Sequence, residues 1–289
     1  MYNKKDFTWG YELELGDIPR DFIIPEELGA WEYCETDILN LNPPYALRAC
    51  DPLGIDPPVG GEINTKPTHS WPEQVDRIME IIEMFKKAGH SPTASCINEG
   101  HIHVYVPGLK EDIEALKRLT LYVQRNQKLA IEEIYAYREH PLMKETKTAR
   151  TYLKWDCGRM MPHWMCENII NNADNFDDFI RIQCCGKDGV SRGRPIRYGI
   201  NTYCMKHTGT IEFRIFRATV NREELVSAFA FVERFMESAL NGGDSVEEIL
   251  RYYHLKFAPF SYNHEHYLAW ENTKYAKTRG KKERIFHPM

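Results

Sequence analysis

The sequence predicts an α+β fold: a largely antiparallel sheet with helices packed on one face and an open, polar face opposite. Three observations predict it. Several short segments alternate apolar and polar residues, the period-two pattern of a half-buried strand. Longer segments repeat apolar residues at helical spacing. The two kinds are mixed along the chain without regular βαβ alternation, which argues against a parallel sheet covered on both faces.

Residues 8–15 read as a strand with Trp9, Tyr11, Leu13 and Leu15 on one face and Gly10, Glu12 and Glu14 on the other. Residues 36–58, rich in Pro, Asp and Asn, read as a long loop, and 59–65 as a short strand. Val75, Ile78, Met79, Ile82 and Phe85 place a helix over 72–89. A strand follows, with Ile102, Val104 and Val106 alternating with His101, His103 and Tyr105. A long helix is predicted over 110–138. Residues 139–160 read as irregular and basic, and 175–183 as a short helix. Two strands, 197–205 and 210–217, form a predicted hairpin closed by the turn Lys206-His207-Thr208-Gly209. The second has Ile211, Phe213 and Ile215 on its buried face and Thr210, Glu212, Arg214 and Phe216 on the other. Leu225, Phe229, Val232 and Phe235 line one face of a helix over 223–240. Asn241-Gly242-Gly243 stops it, and Asp244 or Ser245 caps the next.

Composition narrows the class. At 43% hydrophobic and 27% charged residues the chain reads as a soluble globular protein. A net charge of −5 gives no global pull toward nucleic acid or anionic membrane. No apolar run spans a bilayer, and MYNKKDFTWG lacks the apolar stretch of a signal peptide. The reading is therefore cytoplasmic. The eight cysteines (Cys34, Cys50, Cys96, Cys157, Cys166, Cys184, Cys185, Cys204) contain no C-x-x-C pair, so zinc-ribbon spacing is absent and free thiols are expected.

Four segments carry chemistry. Glu12 and Glu14 share a strand face at roughly 6–7 Å. Two bare carboxylates at that distance repel by roughly 2–3 kcal/mol at an effective dielectric near 20. A hard divalent cation such as Mg2+ or Mn2+ removes that cost; on its own, though, the pair is also what a solvated strand face looks like. In VGGEINTKP, Gly60-Gly61 permits close backbone approach and Glu62 follows, with Asn64 and Lys66 on its face. In GHIHVYV, His101 and His103 share a face suited to metal or phosphate. In GTIEFRIFR, Glu212 and Arg214 set an acid beside a guanidinium: one can hold a cation while the other grips phosphate oxygens as a rigid fork. Each has a bland alternative, a surface turn, two surface histidines or an exposed ion pair. Together they require four distant segments to aim metal-competent groups from strands with apolar backs.

The order GYELEL, GGEINTKP, GHIHVYV, GTIEFRIFR resembles the amidoligase family, a branch of the carboxylate-amine ligases related to glutamine synthetase and glutamate-cysteine ligase. The similarity runs over about residues 8–235. It implies a single catalytic domain over 1–289, a glutamine synthetase-like sheet and a magnesium–ATP site on one face. By motif match Glu12, Glu14, Glu62 and Glu212 are the metal-binding acids and His101 the metal-side histidine. His103 then lies toward phosphate or substrate, and Arg214 contacts the transferring phosphoryl group. Arg197 and Asn201 resemble the polar residues of the preceding strand, with Arg192 and Arg194 as further candidates for ATP or a substrate carboxylate. In two places the chain departs from the pattern: Gly100 directly precedes His101 instead of standing two residues before it, and GGEINTKP has one extra residue before its proline. The family's chemistry is ATP-dependent activation of a carboxylate as an acyl phosphate, then amide formation with an amine.

Other classes fit the same residues: a guanidino-type phosphotransferase, a metal-dependent hydrolase, or a non-catalytic binding protein. The tail 274–289 carries Lys274, Lys277, Arg279, Lys281, Lys282 and Arg284 against the single acid Glu283. It reads as a solvated terminus, with nucleic-acid contact as the lesser alternative. The expected substrates are small-molecule or peptide carboxylates and amines. Neither their identity nor the oligomeric state is encoded in a readable pattern.

Overall fold

A computed structural model of the chain describes residues 1–16, 22–33, 60–90, 92, 99–134, 159–191 and 197–252. Six strands among them form one sheet: β1 (Thr8–Gly16), β2 (Gly29–Tyr33), β3 (Gly60–Thr65), β4 (Glu99–Tyr105), β5 (Ile200–Asn201) and β6 (Thr210–Arg217). Their order is β2-β3-β1-β4-β6-β5, and every neighbouring pair is antiparallel. Six α-helices accompany them: α1 (Trp71–Lys87), α2 (Ile113–Ile134), α3 (His163–Asn172), α4 (Phe176–Gln183), α5 (Arg222–Asn241) and α6 (Val246–Tyr252). The fold is α+β. Among the described residues no helix is long and apolar enough to cross a membrane.

The apolar strand faces explain where the helices sit. Trp9, Tyr11, Leu13, Ile63, Ile102, Val104, Ile211 and Phe213 are all buried in one cluster with helix residues. The α5 stripe of Leu225, Phe229, Val232 and Phe235 is wholly buried. Phe229 packs on Trp9 and Tyr11 of β1, with ring centroids 6.0 and 5.6 Å away, and Phe235 meets Phe213 of β6 at 5.3 Å. One such aromatic stabilises the fold by about 1.5–3 kcal/mol through burial alone. Asn221 starts α5 by accepting from the backbone N–H groups of Glu223 and Glu224. Ser245, rather than Asp244, caps α6: its Oγ accepts from Glu248 N while Glu248 Oε2 accepts from Ser245 N, a reciprocal capping box.

Two glycines are demanded by geometry. A Cβ on Gly29 would stand 2.5 Å from the Asn64 carbonyl oxygen, so β2 reaches β3 only because that side chain is missing. Gly209, at φ 81°, closes the turn into β6 in the left-handed region.

The structure departs from the sequence reading in several places. The segment 197–205 is not a full strand: only Ile200–Asn201 pairs, and Thr202–Lys206 winds into a 3-10 turn, so the hairpin is reduced to a short edge. The strand β2 and the helix α3 were not expected. Phe216 lies with the core, packed on Phe231 of α5 at 6.3 Å, not on the polar face with Glu212. The ladder explains it: Phe213 pairs with Ile102 and Phe216 with Gly100, one residue more on β6 than on β4. A bulge of this kind breaks the alternation. The loop 36–58, the basic segment 139–158, Arg192, Arg194 and the tail 274–289 lie outside the described residues.

Candidate metal centre

The register of the sheet assembles one polar face. Glu12 pairs with Asn64 on β3 and His101 on β4, and Glu14 pairs with Glu62. Across the other edge His103 pairs with Glu212, which pairs with Asn201. Gly10 stands opposite His103, leaving no side chain between that ring and Glu12. Segments far apart in sequence therefore converge because alternate residues of adjacent antiparallel strands share a face.

The convergence is tight at its centre. His103 Nε2 lies 3.1 Å from Glu12 Oε1, and His101 Nδ1 lies 2.9 Å from Glu12 Oε2 and 3.5 Å from Glu212 Oε1. Arg214 Nη1 donates to Glu212 Oε1 at 2.7 Å, and Asn201 Nδ2 donates to Glu212 Oε2 at 2.6 Å. Beside this group Asn64 Nδ2 donates to Glu62 Oε1 at 2.8 Å.

The polar face is not open as predicted. His101, His103, Glu212, Arg214, Asn201 and Glu14 are all 3–7% exposed. Glu12 is the more accessible member of the centre, its side chain 27% exposed, and Glu62 and Asn64 are half-buried. At the centre the pairing of Glu12 and Glu212 with the histidines and Arg214 makes such burial tolerable, since each of these two acids has a cationic or proton-donating partner at contact distance.

Of the residues singled out in sequence, Glu12, His101, His103, Glu212, Arg214 and Asn201 meet. Glu14 and Glu62 form an adjacent acidic row between β1 and β3, and Glu32 pairs with Glu62 in the same register. Arg197 is exposed ahead of β5, and Lys66 reaches Glu26 instead, at 4.0 Å. The grouping with metal-like spacing is Glu12, His103 and Glu212, whose donor atoms all lie within 4.8 Å of one another. Thus both histidines sit with the acids: His103, expected on the phosphate side, joins the ligand-spaced group, and His101 lies against both Glu12 and Glu212. Thr210 and Thr208 were not assigned a role in the sequence, yet Thr210 Oγ1 lies 2.9 Å from His103 Nδ1. The signal available for Thr210 was its shared face with Glu212.

The donor set suits a divalent cation. Donors about 2.1 Å from a small cation stand roughly 3–4 Å apart, within the observed span. Two carboxylates and an imidazole are a mixed oxygen–nitrogen set that favours Mn2+ over Mg2+. One buried polar atom at this centre, Asn201 Oδ1, lacks a hydrogen-bond partner among the described residues, as a cation or substrate site would leave it.

Electrostatics follow from the packing. Burial alone would raise the Glu12 carboxyl, but the two histidines outweigh it and hold Glu12 well below the usual carboxylate range. Burial likewise opposes ionisation of Glu212; the Arg214 guanidinium and then the histidines overcome it and keep its pKa low. Burial would lower His103, but the Cys204 thiol and the carboxylates of Glu12 and Glu212 push it up to about 9. Stability from a raised histidine is fully present below its unfolded value near 6.5 and is lost as pH rises through about 9. Stability from the lowered carboxyls is present above about 4.5 and lost toward acid. In EDTA the chain is therefore expected to be most stable between these limits and to lose up to about 3 kcal/mol by pH 10. Mn2+ should flatten that alkaline limb by taking the proton's place. Urea unfolding at pH 6 and pH 10, with and without Mn2+, measures both; equal stabilities in EDTA would contradict the charge arrangement.

Comparison with known proteins adds no relative: no protein-family model, curated protein or solved structure matches the chain.

Proposed function

We propose that the protein is an ATP- and divalent-metal-dependent carboxylate-amine ligase of amidoligase type, built on a glutamine synthetase-like sheet. The observation that supports it is the meeting of Glu12, His103 and Glu212 at ligand spacing, with Arg214 bonded directly to Glu212. Such a centre suits phosphoryl transfer, which needs positioning and charge neutralisation rather than a protein nucleophile. A bound cation there would neutralise charge on the ATP phosphates.

In this reading Glu12, Glu212 and His103 hold the cation, and Glu14 and Glu62 extend the acidic row. Arg214 orients Glu212 and presents its guanidinium plane to the transferred group. A substrate carboxylate oxygen attacks the terminal phosphorus, the bond to ADP breaks, and an acyl phosphate results. The amine nitrogen then attacks the acyl carbon, phosphate leaves, and the nitrogen gives its proton to a base. The acidic face favours a cationic amine before that step.

The test is isotopic. The full chain is incubated with ATP, Mn2+, ammonium and amino acids carrying 18O in their carboxylates. Expected is ADP formation coupled to amide formation, with one 18O carried into inorganic phosphate. A phosphorylated product without amide points to the guanidino-type phosphotransferase. Bond cleavage without ATP points to the hydrolase, and absence of Mn2+ binding to a binding protein.

A further inference from the structure

The face that holds His103 also carries a chain of hydroxyls whose direction is decided at its far end. His103 Nδ1 lies 2.9 Å from Thr210 Oγ1, which lies 2.6 Å from Thr208 Oγ1. Thr208 Oγ1 in turn donates to the Cys204 carbonyl at 3.0 Å. A carbonyl only accepts, and a hydroxyl has one proton. With the Thr208 proton committed to Cys204 O, the Thr210 hydroxyl donates to Thr208. Thr210 Oγ1 then has only lone pairs to offer His103, so the proton of that contact sits on Nδ1. A further contact agrees: the backbone N–H of Thr210 donates to Thr208 Oγ1 at 3.3 Å, which fills one lone pair and leaves the other for the Thr210 hydroxyl.

The chain is built by local backbone structure. The 3-10 turn Thr202–Lys206 presents the Cys204 carbonyl, which also accepts from the backbone N–H groups of His207 and Thr208. Gly209 then turns the chain so that Thr210 opens β6 two residues before Glu212. The edge that was predicted as a plain strand is thus a short turn that aims a carbonyl at a pair of threonines.

We infer that Thr210 is a positioning residue: through Thr208 and the Cys204 carbonyl it keeps a proton of His103 on Nδ1, so that Nε2, facing Glu12 and Glu212, is the nitrogen that exchanges its proton for a divalent cation. This rests on the cation site proposed above and adds the residues that orient its imidazole. Outer partners of this kind fix ring orientation and raise ligand basicity.

Removing the hydroxyl tests it. Thr210→Val preserves shape and β-propensity, and Thr210→Ser preserves the hydroxyl. Mn2+ affinity, read by electron paramagnetic resonance titration of the full chain, is expected to fall about 10–100-fold in Thr210→Val and to return to within a few-fold of the parent in Thr210→Ser. Long-range 1H–15N NMR of the Zn2+-loaded parent, zinc serving as a diamagnetic probe, should show the His103 proton on Nδ1. Equal Mn2+ affinity in parent and Thr210→Val, or a proton on Nε2, overturns the inference while leaving the cation site standing. A parent that binds no Mn2+ overturns both. Should Thr210→Val prove unfolded, the NMR assignment on the parent still decides.

Discussion

Glu212→Gln is expected to abolish Mn2+ binding and, with it, ATP-dependent amide formation, while leaving a folded chain. Glu212 is the acid on which the site turns. Its Oε1 takes the Arg214 guanidinium at 2.7 Å and faces His101 at 3.5 Å, and its Oε2 takes Asn201 at 2.6 Å. A carboxamide of the same shape has one acceptor oxygen, so it can satisfy Arg214 or Asn201 but not both. It also brings no negative charge to the cluster of Glu12 and His103. Loss of a cation's charge stabilisation is worth several kcal/mol in the transition state, at least about a thousandfold in rate. One buried donor left without its acceptor costs about 1–3 kcal/mol, a large part of ordinary domain stability but not all of it. Isothermal titration with Mn2+, product assay and circular dichroism separate these effects. Parental turnover in a folded Glu212→Gln protein would remove Glu212 from the centre.

The elements that build this site differ in how far the sequence reveals them. β1, β4 and β6 were legible because each has a strongly apolar back: Trp9, Tyr11 and Leu13; Ile102 and Val104; Ile211 and Phe213. Period-two alternation then fixes which acids and histidines share the other face, and those residues do meet. Pairing partners are a different matter. Nothing local says that β4 lies between β1 and β6, yet that order brings Glu12 and Glu212 to the same histidines. That His103, opposite Glu212 in the ladder, completes the ligand-spaced group with both acids is likewise set by cross-strand register. The bulge opposite Gly100 and Ile102 explains why Phe216 could not be placed from alternation alone. β5 failed as a prediction because Tyr203 and Met205 continue the apolar pattern while the backbone winds into a 3-10 turn. The helix α3 was hidden for a related reason: Pro162 precedes it without a side-chain cap, so its start carries none of the usual signals. Thr210 was visible as a residue on the right face, but a hydroxyl's role depends on its partners, which only the turn supplies.

Arg214→Lys is expected to leave Mn2+ affinity within a few-fold of the parent and to cut turnover by about a thousandfold, the lower bound for loss of a transition-state arginine. The two variants thus pull apart functions that the sequence merges in one E-x-R strand. Arg214 is 3% exposed and its Nη1 is engaged with Glu212. A lysine ammonium can keep the net charge beside that carboxylate, and so preserve the acid's ionised state for a cation. It cannot at once hold Glu212 and present a second, coplanar pair of donors, because its charge sits at a single nitrogen. A lysine at this depth is also pushed toward its neutral form by burial, though the carboxylate beside it opposes that shift. If Arg214 acts only as a counter-ion, Lys should serve nearly as well in both assays. If it also meets the transferred phosphoryl group, kcat should fall while Mn2+ binding persists. Stopped-flow turnover beside Mn2+ titration distinguishes these cases, and a near-parental kcat in Arg214→Lys would confine Arg214 to charge balance.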